Sequence, residues 1–168
     1  MKIIILFISI LLSSASIRAQ NNEVLNLLNK KNAPITKKVD SIGNIEEKIF
    51  FDLITLEDML NGNILKGVLI SVVRKGQTIS NVLDKSETQT FIAALKRLSM
   101  KLDDTEFKKS AFRISSGSGL SISSSFDPSG VWIHKIEIKK SYLDPAFHFD
   151  NKGIDEIIDF LSKGLSKM

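Results

Sequence analysis

Among the 168 residues there is no cysteine. Disulfides are therefore excluded, and an apolar core has to hold the fold unaided. The same absence excludes acylation of a lipoprotein cysteine and removes the soft ligands that most structural zinc sites use. Aromatics with a polar handle are almost missing, at one tryptophan and one tyrosine. Such a chain offers no stacking platform for sugars or bases. Charge of one sign is scarce as well, with 23 Lys and Arg against 19 Asp and Glu. That small, evenly mixed balance does not argue for nucleic acid or for an anionic membrane. No phosphate loop of the Gly-x-x-x-x-Gly-Lys form occurs, and no Gly-x-Ser-x-Gly elbow.

What is present begins with an address. Lys2 supplies a positive charge, Ile3 to Leu12 form a run of ten that is apolar but for Ser9, and Ser13 to Ala19 turn small and polar. Crossing a bilayer takes about twenty apolar residues, so this run reads as a cleavable signal peptide over residues 1–19. Cleavage is expected after Ala19, with Ala15 as the alternative. Export to the periplasm or the medium follows, with no transmembrane span once the signal is removed. Losing 19 residues leaves a mature chain of 149, and losing Lys2 and Arg18 lowers the net charge from +4 to +2. A chain of that length makes one ordinary domain.

Residues 20–47 read as a polar lead-in or tether, although Glu23 to Leu28 has the makings of a turn or two of helix. The folded domain is expected over 48–168. Two readings compete for 48–60. Aromatic and β-branched residues, followed by Asn61-Gly62-Asn63, favour a strand and hairpin. Asn44-x-x-Glu47 with Ile45, Ile49, Leu53, Leu56 and Leu60 has instead the form of a capped helix. Strand is preferred. Gly67 to Arg74 is then the returning strand, Lys75-Gly76 a turn, and Gln77 to Val82 a further strand. A helix starts at Asp84 to Glu87, where either Asp84 with Glu87 or Ser86 with Gln89 suits reciprocal capping, and Phe91, Ile92, Leu95, Leu98 and Leu102 form its stripe.

Residues 111–139 alternate with a period of two. Phe112, Ile114, Leu120, Ile122, Phe126, Trp132, Ile136 and Ile138 all fall on even positions, while Ser121, Ser123 and Ser125 take odd ones. One face is therefore buried and the other wet. Asp127-Pro128-Ser129-Gly130 suits a type I turn between two of these strands. Residues 146–149 suggest a short edge strand. A last helix, capped by Asp150 or Asn151, carries Ile154, Ile157, Ile158, Leu161 and Leu165 on one face. The expected fold is α+β: an antiparallel sheet of about six or seven strands, with two amphipathic helices mainly on one face. The order strands, helix, strands, helix raises the suspicion of a structural repeat.

Candidate chemistry is sparse. His134 shares parity with the core positions and reads as a hydrogen-bonded histidine at the core edge. His148 and Asp150 share parity and offer two metal ligands, which Asp144 could join, but no cysteine and no third histidine completes a set. Ser116 and Ser118, in the Ser/Gly loop 115–119, read as part of a flexible hairpin tip. With Ser121, Ser123 and Ser125 they are the candidate binding residues. No cofactor is implied. The leading function is non-catalytic binding of a protein or small ligand in the envelope or medium, without nucleic acid. The alternative is a metal-dependent or other hydrolase of the cell envelope.

Overall fold

A computed structural model of the chain describes residues 22–30, 34–102, 104–138 and 146–168. Residues 1–19, the expected signal peptide, lie outside them. The fold is α+β with antiparallel strands, as the alternation requires, but the strands are divided differently from the expectation. Instead of one sheet of six or seven strands, the described residues form two sheets of four, in the orders β1-β2-β3-β4 and β5-β6-β7-β8. Among the described residues three α-helices accompany them rather than two.

The first sheet comprises β1 (Ile35–Ile45), β2 (Ile49–Asp58), β3 (Ile64–Arg74) and β4 (Gln77–Leu83). The strand reading of 48–60 holds, and the helical alternative falls. Lys75 (φ 50°) and Gly76 (φ 76°) make the expected turn into β4. The lead-in is not only a tether, because β1 and the helix α1 (Glu23–Asn29) both lie within it. β1 escaped the pattern for a physical reason. It is an edge strand, largely exposed from Thr36 to Val39, with a bulge between Ser41 and Gly43. Lysines and a bulge also blunt an edge against unwanted pairing. α1 is too short to persist alone and is held by burying Val24 and Leu27 against Ile54, Leu56 and Val82 on the outer face of this sheet.

α2 (Lys85–Leu102) follows, and a short 3-10 helix (Thr105–Lys109) then leads the chain away, so that the next strands pair only among themselves. These are β5 (Ala111–Ser115), β6 (Leu120–Phe126), β7 (Trp132–Ile138) and β8 (Ala146–Phe149), and α3 (Asn151–Leu165) ends the fold. Each sheet is thus a four-stranded meander followed by a helix. The expected turn at 127–130 closes with Gly130 N donating to Asp127 O at 2.9 Å.

One apolar cluster runs through the inner faces of both sheets and the facing sides of α2 and α3. The stripe predicted for α2 is buried in full. On α3, Ile154, Ile157 and Leu161 are buried, whereas Ile158 and Leu165 are half-buried at the margin. Two glycines let α3 approach the first sheet closely. A Cβ on Gly164 would meet Val68 Cγ2 at 2.5 Å, and one on Gly43 would run into the Phe160 ring. Trp132 joins α2 to β7, its Nε1 donating to Leu102 O at 3.0 Å. That bond satisfies one of the carbonyls a helix end leaves open.

Truncation should separate core from margin. Leu161→Ala is expected to cost about 3 kcal/mol in urea denaturation, and Ile158→Ala about half as much. Equal losses, or none, would contradict the docking of α3.

Candidate functional site

The outer face of the second sheet takes the odd positions of β5, β6 and β7. Register sets them in rows. Arg113 lies beside Ser123, Ser123 beside Lys135, and Lys135 beside His148. In the neighbouring rows Ser115, Ser121 and Glu137 align, as do Ala111, Ser125 and Ile133. Among the described residues no helix packs over this face.

Arg113 reaches across β6, where its Nη2 donates to Ser121 Oγ at 3.0 Å and stands 3.6 Å from Glu137 Oε2. Lys135 Nζ lies 2.5 Å from Glu137 Oε1. Two cations thus converge on one half-buried carboxylate, and the face retains a positive excess. Exposed pairs of this kind add little stability, about 1 kcal/mol or less. Their use is to orient the cations. Ser121 is buried beneath the arginine, whereas Ser125 is exposed and Ser123 half-buried. Ser123 and Ser125 make no side-chain hydrogen bond among the described residues, so both hydroxyls are available to a partner.

Ser116 and Ser118 are placed differently. Their loop is not a free tip. Ser118 N donates to Glu87 Oε1 at 2.8 Å, Ser118 Oγ donates to Asn81 Oδ1 at 2.9 Å, and Asn81 Nδ2 donates to Ser118 O at 2.6 Å. Ser116 Oγ accepts from Leu120 N at 3.0 Å and bonds Ser118 Oγ. Asn22 closes the cluster, donating from Nδ2 to Glu87 Oε2 at 2.5 Å and to Val82 O at 2.8 Å. Asp84 caps α2 by accepting from Glu87 N at 2.8 Å. The Glu87 side chain, however, does not return to the cap; it is buried and satisfied by Asn22 and the loop. These serines clasp the two halves together and are spent in doing so.

His148 and Asp150 are also parted by their roles. His148 is exposed and opposes Lys135, a cation, across the sheet. Asp150 caps α3, its Oδ1 accepting from Gly153 N at 3.1 Å. Asp150 lines a cleft of about 290 Å³ with Asn44, Glu46, Phe149, Lys152 and Glu156. The rim is a tight turn in which Glu46 and Glu47 hold φ of 50° and 53°. Lys152 lies 3.3 Å from Glu156 in this cleft. Asp144 falls outside the described residues, and among those described no three His, Asp or Glu gather as metal ligands.

Sequence reasoning missed one constellation. His134 is fully buried; Ser124 Oγ lies 2.7 Å from its Nδ1 and Asn151 Oδ1 lies 2.7 Å from its Nε2. An amide oxygen only accepts, so Nε2 carries the proton and Nδ1 accepts from the serine hydroxyl. Serine, histidine and asparagine in contact suggest a nucleophile, base and orienter. Ser124 is only 1% exposed, so no substrate reaches its oxygen. The trio ties β6, β7 and the start of α3 together. The available signal was the parity of Ser124, which is the parity of Ile122 and Phe126.

Burial pushes the His134 imidazole below its ordinary pKa of 6.5, against the opposing pull of the Asn151 hydrogen bond and the Asp150 charge. The folded state therefore takes up this proton at lower pH than the unfolded chain does. Its contribution to stability is complete above about pH 6.5 and is lost as pH falls toward the folded value. Unfolding free energies from urea denaturation should stay level above that pH and decline below it, by at most about 1.4 kcal/mol per pH unit. His134→Gln should flatten that decline, and the exposed control His148→Gln should leave it. A decline unchanged in His134→Gln would refute the assignment.

No family model matches the chain, nor does any curated protein, so the reading of its site rests on these rows of side chains.

Proposed function

We propose that the protein is exported and acts by binding, without catalysis, through the outer face of its second sheet. The observation that carries this reading is the row Arg113, Ser123, Lys135 and His148, set on a rigid sheet. The inner face of the same sheet is committed to the core, and the Ser/Gly loop to the clasp. The outer face therefore presents oriented polar groups to solvent, and among the described residues its Ser123 and Ser125 hydroxyls have no partner.

The chemistry selects a partner class. Two cations held toward one carboxylate, with free hydroxyls at Ser123 and Ser125, suit a flat partner carrying carboxylates and backbone carbonyls. Size narrows it further. Four strands about 4.8 Å apart and five residues long present roughly 300 Å², well below the roughly 800 Å² that each side of a standard interface buries. An acidic extended segment of a protein fits this area better than a permanent globular partner. Export is supported by the pattern of residues 1–19, from the charge on Lys2 through the apolar run to Ala19.

A photo-crosslinking side chain at Ser123, in cells that make the protein, tests both parts. The expected result is a discrete adduct outside the cytoplasm, carried by a chain that begins at Gln20. Arg113→Glu with Lys135→Glu should weaken the adduct by about tenfold or more while the fold persists. An undiminished adduct would refute the face, and an unprocessed N-terminus in the cytoplasm would refute export.

A further inference from the structure

We propose that the tip of the β2–β3 hairpin seats the protein on an anionic lipid surface. Three apolar side chains project there: Met59, Leu60 and Ile64 are 63%, 74% and 60% exposed. Their exposure does not come from a loose loop. Asp58 Oδ1 accepts from Leu60 N at 2.9 Å and its Oδ2 from Asn61 Nδ2 at 3.2 Å, while its carbonyl takes Gly62 N at 2.7 Å. Asp58 N donates to Asn63 O and Met59 N to Pro34 O, each at 2.9 Å. The tip is a fixed convex knob. A knob encloses no small ligand; it needs a soft or concave receiver.

Charge behind the knob favours the soft one. Lys37 pairs with Leu56 and Lys66 with Thr55, three and four residues behind Met59. At about 3.3 Å per residue they stand roughly 10–13 Å back from it. Lys30, at the end of α1, precedes Pro34 by four residues. Among the described residues Lys30 and Lys37 join no salt bridge, and Lys66 Nζ donates to the Lys167 carbonyl at 3.0 Å. The other charges nearby are committed: Lys38 lies 2.9 Å from Asp40, and Asp58 holds the turn. Three lysines thus stand against two exposed acids, Glu57, which accepts from the Thr36 hydroxyl at 3.3 Å, and Glu23, which lines a cleft with Lys66 and Lys85. The chain as a whole has little net charge, so this attraction is local. Interfacial anchors enter the boundary between headgroups and acyl chains by about 5–10 Å. Lysines about 10 Å behind the apolar knob then meet the lipid phosphates.

Flotation of the purified mature chain tests this, with vesicles of phosphatidylcholine alone or with a quarter phosphatidylglycerol. Wild type should float with the anionic vesicles, be released by high salt, and stay behind with the neutral ones. Met59→Gln with Leu60→Gln, and separately Lys37→Gln with Lys66→Gln, should each lower binding by about tenfold. These side chains are exposed, so the thermal midpoints should not move. Wild type that never floats, as expected of a knob made for a protein groove, would overturn the proposal. So would variants that float like wild type, or equal binding to neutral vesicles.

Discussion

The two long helices of this fold belong by sequence to one sheet and by packing to both, and that exchange holds the rest together. α3 follows β8, yet it lies against β1, β2 and β3 as well as β7, and α2 leaves β4 to reach β5. The sheets themselves meet where β3 approaches β8 and β4 approaches β7. Neither meander could cover its inner face with its own helix alone. With no disulfide to restrain the unfolded chain, this shared apolar burial is the main source of stability. A repeat in element order has thus become a single core.

Shared cores of aliphatic side chains tolerate sliding, because apolar contact is not directional. Two buried polar clusters supply the direction. Asn22, Asn81, Glu87 and Ser118 join α1, β4, α2 and the β5–β6 loop; Ser124, His134 and Asn151 join β6, β7 and α3. Leaving one buried donor or acceptor unmatched costs about 1–3 kcal/mol, so a shift of either joint would be penalised several times over. Among the described residues no buried side-chain nitrogen or oxygen lacks a partner. The polar residues that look most chemical in this chain are therefore the ones that set its register.

This explains what could be read in advance. The alternation from Phe112 to Ile138 reported three strands of the second sheet, because their even positions turn to the core and their odd ones, Ser121 excepted, stay at least partly wet. The stripes of α2 and α3 reported their docking for the same reason. β1 was illegible because an edge strand wet on most of its positions has no period to show. The split into two sheets was illegible because periodicity describes a strand's faces and says nothing about its neighbours. Ser116 and Ser118 misled because a Ser/Gly loop reads as flexible whether or not a distant Asn81 and Glu87 hold it. Ser123 and Ser125 remain candidates because their parity already placed them outside the core.

What stays open to solvent then constrains how the protein can act. The outer face of the first sheet is partly covered by α1, and that of the second is a small polar patch. A patch of roughly 300 Å² supports weak or transient contact at best, since stable complexes bury several times more. Weak contacts become useful when the search is confined, because tethering raises effective concentration without adding any contact. A knob that rests on a lipid surface would provide such confinement, and it lies on the other sheet from the polar row. Anchor and binding face would therefore not compete for the same residues. In that arrangement the rigidity of the shared core has a functional consequence: it fixes the orientation of the polar row relative to the surface on which the protein sits.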